Sequence, residues 1–266
     1  MRKLKGRRGV GIAAVVVAVL AALAGIAGAA GKNKPVKVIV GNIELTANGG
    51  FTPEALSKTK QTPIAFFAEG KIRTLDGTHP PALKEFIVET DKNGALNVKG
   101  FPTCTSGVLQ SRTTHAAEEA CPDAIIGSGF ATAGIKFSEQ PKDVLAKSKI
   151  VVFNGGESGG VVTLFIHAYI TIPVPAAIVT TVKVKKVHNG RYGLLSTGTI
   201  PKIAGGAGSV IAFNLKIDKK YTYKGQRISV LTAKCPDGKL QARGTGVFAD
   251  GTRLSAEVIR TCTGKG

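Results

Sequence analysis

Short runs of alternating apolar and polar residues recur along this chain and leave it few folds to choose from. They read "VKVIVGNIEL" (36–45), "KIVVF" (149–153), "GVVTLFIHAYI" (160–170), "IVTTVKV" (178–184), "VIAFNLKI" (210–217), "RISVLTAK" (227–234) and "RLSAEVI" (253–259). Val, Ile, Thr and aromatic residues fill them, as half-buried strands require. Asn93-Gly94, Asn189-Gly190, Asp237-Gly238 and Asp250-Gly251 stand between runs, and such dipeptides supply the positive φ angles of tight turns. The pattern predicts an all-β, antiparallel β-sandwich with one or two short helices; a barrel shares the same signature. Helix is expected only as a capped turn at Thr52–Leu56 and as two turns behind a threonine cap in "TTHAAEEAC" (113–121). Residues 49–266 then form one β-sandwich domain, after an N-terminal segment (30–48) that carries the first strand. Echoes between "IAFFAEGKI" (64–72) and "IAFNLKI" (211–217), and between "DKNGALNVKG" (91–100) and "DGKLQARG" (237–244), raise the idea of two related halves.

Gly156-Glu157-Ser158-Gly159-Gly160 fits the G-x-S-x-G pattern and resembles the G-D-S-G-G signature of chymotrypsin-type proteases, with Glu in place of Asp. The flanking runs argue against a serine nucleophile. A strand enters and a strand leaves, where a nucleophile elbow needs a helix on the exit side. No acid lies between Ser158 and His188, the last histidine, which excludes the order Ser, acid, His. An order drawn from His79 or His115, then Asp91, Asp123 or Asp143, then Ser158 is arithmetically open, but neither histidine sits in that family's surroundings. The glycines suffice to make a turn.

Strand 161–170 has one apolar face, with Val162, Leu164, Ile166, Ala168 and Ile170. The other carries Val161, Thr163, Phe165, His167 and Tyr169, which suits a solvated face or the floor of a shallow groove. His167 and Tyr169 are its polar members, and with Lys183, Lys185 and Lys186 they make a candidate binding surface. His188 and Arg191 extend that basic stripe, whose simplest reading is a solvated strand face.

The N-terminus fixes the expected compartment. Arg2, Lys3, Lys5, Arg7 and Arg8 precede an uncharged stretch from Val10 to Ala30, and Ala27-Gly28-Ala29 offers a small-x-small cleavage site. Residues 1–29 read as a secretory signal; left uncleaved, the same stretch is long enough to anchor the chain in a membrane. The protein is therefore expected to be secreted or held at the cell surface. Cys104, Cys121, Cys235 and Cys262 agree, because an even count in an exported chain predicts two disulfides. Three connectivities are open; neighbour pairing, Cys104 with Cys121 and Cys235 with Cys262, is favoured. No C-x-x-C pair and only scattered histidines speak for zinc.

The chain carries a formal net charge of +19, and the acid-free leader holds only five of its basic residues. An exported body this basic is drawn to anionic wall polymers or membrane surfaces. Basic residues interleaved with aromatics are missing, so no specific nucleic-acid module is expected. The chain has no Trp and only four Tyr, which weakens a carbohydrate-stacking reading. No phosphate loop, dinucleotide fingerprint or calcium loop occurs, and no cofactor or metal is expected.

The runs "GGFTPEALSKTKQTPIAFFAEGKI" and "DGTHPPALKEFIVETDKNGALNVKGFPTC", followed by "CPDAIIGSGFA", resemble a group of exported proteins of high-GC Gram-positive bacteria. The resemblance covers roughly residues 49–131 and implies a secreted, β-rich, disulfide-bonded protein, with no catalytic residues to carry over. The expectation is a non-enzymatic envelope or secreted binding protein whose basic body meets anionic envelope components. The rivals are a hydrolase using Ser158 or a carboxylate pair, and a protein-binding module built on the His167 face.

Overall fold

The computed structural model of the protein describes residues 34–265; the expected leader falls in residues 1–33, which with Gly266 lie outside the described residues. Its first strands are β1 (Val36–Val40), β2 (Ile43–Thr52), β3 (Ala55–Ser57), β4 (Thr62–Pro63), β5 (Ala65–Thr74), β6 (Leu83–Asp91) and β7 (Gly94–Leu96). Helices α1 (Ser106–Leu109) and α2 (Thr114–Ala120) follow, then β8 (Ile125–Ile135), β9 (Val144–Ser158), β10 (Val161–Ile170), β11 (Ala176–Asn189) and β12 (Tyr192–Thr199). The chain closes with β13 (Gly208–Ile217), β14 (Lys220–Tyr223), β15 (Gln226–Ser229), β16 (Leu231–Ala233), β17 (Lys239–Phe248), β18 (Arg253–Thr261) and β19 (Thr263–Lys265).

The class is all-β and antiparallel. Twelve strands make one sheet in the order β1-β2-β5-β13-β8-β9-β10-β11-β12-β6-β17-β18. The sheet curls until its two edge strands meet, so the layers expected of a sandwich are opposed walls of one nearly closed barrel. Val36, Val38, Ile43, Leu254 and Ala256 pack together at that seam. Buried Arg260 of β18 bridges it, donating from Nε to Gly49 O at 2.6 Å and from a terminal nitrogen to Lys34 O at 3.4 Å.

The first echo joins neighbours in the sheet. β5 and β13 lie side by side, with Gly70 opposite Phe213 and Ala68 opposite Leu215. Phe213 needs that glycine, since a Cβ at Gly70 would stand 2.5 Å from its ring. The expected turn at 52–56 is extended chain instead. Leu56 is fully buried beside the Cys235–Cys262 cystine, and β3 pairs in parallel with β19. Tertiary pairing overrides a local cap signal there. Thr113 does cap α2, accepting from the Ala116 amide.

The barrel has two unlike ends. The cystine end carries both disulfides, Cys104–Cys121 and Cys235–Cys262, with the small sheets β4-β16-β7 and β14-β15. The loop end carries the connections 75–82, 136–143, 171–175 and 200–207. On the outer wall the strands present charge: Lys71, Arg73, Lys149, Lys183, Lys185 and Lys216 are all exposed. Among the described residues no helix is long and apolar enough to cross a membrane.

Candidate functional site

The Gly156–Gly160 stretch is the β9–β10 hairpin. Ser158 pairs with Val161 across it, and Gly159 and Gly160 hold φ of 57° and 74°, the left-handed angles a two-residue turn requires. Ser158 lies at the cystine end, whereas His79 and Asp143 lie in loops of the other end, about 30 Å away along β10. His115 is on α2, exposed, with Nδ1 3.6 Å from Glu119.

His79 and Asp143 do meet, but around a different serine. His79 Nδ1 donates to Asp143 Oδ2 at 2.6 Å, and Ser209 Oγ lies 3.2 Å from His79 Nε2. The connectivity is that of a catalytic triad; the proton arrangement is not. Ser209 Oγ donates its single proton to Pro80 O at 2.6 Å and is 1% exposed. A nucleophile would have to give that proton to the histidine and face a substrate. The trio clamps the 75–82 and 136–143 loops onto β13.

The strand face around His167 is covered. Helices α1 and α2 lie over it, and Leu109, Ala117, Val151, Phe153 and Phe165 form a buried cluster there. His167 is fully buried and its Nε2 donates to Arg112 O at 3.1 Å, so it is not part of an open groove. Tyr169 is half-buried. The structure does not unite the proposed lysines with this face. Lys183 and Lys185 project from the outer wall of β11, with Lys183 Nζ donating to Thr163 Oγ1 at 2.8 Å, while Lys186 turns toward the cystine-end mouth of the barrel. Burial lowers the proton affinity of His167 and keeps it neutral.

The surface that breaks the polar pattern lies at the loop end. The connection from β10 to β11 is Thr171-Ile172-Pro173-Val174-Pro175, exposed throughout, with Ile172 at 37% and Val174 at 64%. Leu145, at the start of β9, is 61% exposed, and the β9–β10 register carried past Ile150↔Ala168 sets it beside this loop. Two prolines fix φ within the tip and so stiffen it.

Lysines surround this corner. Lys147 shares the outer face with Leu145 and places Nζ 4.9 Å over the ring of exposed Phe130. Lys136 and Lys142 flank the 136–143 loop, and the Lys136 amide donates to Ala207 O at 2.9 Å, which joins that loop to the one bearing exposed Lys202. Glu139 is exposed among them; Asp143 is held by His79. Composition gave only the charge; the sequence signal for this site was the string "TIPVP", apolar residues where a connection between strands is ordinarily polar. Among the described residues no cluster of His, Cys, Asp and Glu is arranged to hold a metal. In comparisons with known proteins the chain matches no protein-family model, no curated sequence and no solved structure.

Proposed function

We propose that this is an exported, non-enzymatic envelope protein that docks by its loop end on an anionic membrane surface. The observation that carries the reading is the exposed Leu145–Ile172–Val174 corner set among Lys136, Lys142, Lys147 and Lys202. Lysines alone would serve a wall polymer as well. Exposed branched side chains gain nothing from a hydrated polymer, but each gains about 1.5 kcal/mol or more on leaving water for the acyl boundary. Each lysine near an anionic bilayer adds about 1 kcal/mol. The charged outer wall favours resting on the bilayer over crossing it, and two disulfides fit an oxidising compartment.

Co-sedimentation with vesicles tests the reading. Binding is expected with phosphatidylglycerol vesicles, weakening as salt rises, and little with phosphatidylcholine. The double substitution Ile172→Ser and Val174→Ser should weaken it about tenfold or more. Equal binding to both lipids, or binding indifferent to this double variant, would refute docking by the corner; salt-sensitive binding to wall polymers alone would favour the polymer.

A further inference from the structure

At the cystine end a cavity of about 390 Å³ opens between the β14–β15 hairpin and the wall formed by β10, β11 and β12. Its size is that of a small-molecule pocket. Val162, Val184 and Leu194 point inward from the three wall strands and make its apolar floor. Deeper in the same wall, Leu164 and Val182 are buried and Ile166 packs against them, so the barrel core closes the cavity from below.

The opposite side is fixed before any ligand arrives. Tyr221 donates its hydroxyl proton to Lys99 O at 3.0 Å and meets Phe101 edge-on, with ring centroids 4.8 Å apart. Tyr223 lies so close over Gly100 that a Cβ there would stand 2.2 Å from its ring. Asn97 ties the segment to the hairpin's far end, its Nδ2 donating to Ser229 O at 3.2 Å and to Thr232 Oγ1 at 3.3 Å. Lys99 and Lys186 stand exposed at the rim, with Glu157 as the acid.

We propose that this cavity binds an amphiphile with one anionic head group, its apolar body against Val162, Val184 and Leu194 and its head at Lys99 and Lys186. Two cations against one acid favour a single negative charge, because Glu157 opposes a second. The site is separate from the loop-end corner and does not rest on membrane docking.

The test is titration of the protein with dansylated undecanoate, followed by fluorescence and competed with dodecanoate. One saturable site per chain is expected. Ile228→Trp, which fills the cavity from the hairpin, should abolish binding with the melting temperature held, and Lys99→Glu with Lys186→Glu should weaken it at least about tenfold. Lys71→Ser, on the outer wall, should leave it unchanged. Absence of saturable binding would overturn the proposal, as would binding that survives Ile228→Trp or is lost in Lys71→Ser. Equal competition by dodecyltrimethylammonium would overturn the anionic head.

Discussion

His167 couples the fold to pH. Its Nε2 has a carbonyl partner, its Nδ1 is buried without one among the described residues, and burial lowers its proton affinity below the ordinary histidine value. The unfolded chain therefore takes up a proton near pH ~6.5 that the folded chain refuses. Stability should hold above neutrality and fall as the pH drops through that value, until the lowered folded value is passed. Melting temperatures recorded between neutral and mildly acidic pH should show this slope in the natural protein and lose it in His167→Gln. Asp237 is lowered by its bond to Arg191, so its contribution is present above its ordinary carboxylate value and disappears at still lower pH. The two windows are separable. Arg260 has a different role: its guanidinium is buried, pairs with no carboxylate among the described residues, and satisfies carbonyls on both sides of the seam. Arg260→Met should cost about 2–4 kcal/mol in denaturant unfolding, since several buried acceptors lose their donor at once. Neither role was legible in sequence; His167 reads there as a polar member of an open groove, and nothing local announces the helices that cover it.

Among the elements, those whose own residues decide them were readable. The hairpin turns at Asn189-Gly190 and Asp250-Gly251 place glycines at φ of 56° and 89°, and Thr113 caps the helix expected behind it. Segment 52–56 was not readable, because pairing with β19 and the adjacent cystine outweighs its local preference. Also hidden was the pairing of glycines with aromatic rings. Gly198 of β12 lies opposite Phe86 of β6, and a Cβ there would stand 2.2 Å from the ring. Gly198→Val should lower stability by about 1–3 kcal/mol through overpacking, measurable as a shift of the denaturation midpoint. The Cys104–Cys121 bridge closes 17 residues of sequence and holds α1 and α2 over β9 and β10. Replacing both cysteines by alanine should cost about 3 kcal/mol and speed amide exchange in 105–121 more than in the sheet.

The whole molecule divides its surfaces by end. Charged side chains cover the outer wall, the cystine end opens a cavity, and the loop end exposes a stiff apolar tip among lysines. Strand content and antiparallel order followed from alternation and turns, but closure did not. The curl of a twelve-stranded sheet depends on which strands lie side by side, such as β13 between β5 and β8, and no local pattern encodes that order. The candidate site was half legible in the same sense. Its charge could be counted, yet Lys183 and Lys185 drew attention through their alternation, whereas Leu145 and Val174 meet only in the folded chain. The chain contains no tryptophan, so Val174→Trp provides a single reporter at the tip. Its emission should shift to the blue on adding phosphatidylglycerol vesicles and shift back as salt is raised, while a tryptophan at Lys185 on the outer wall stays unchanged. An unshifted reporter at 174, or equal shifts at both positions, would contradict docking by the loop end.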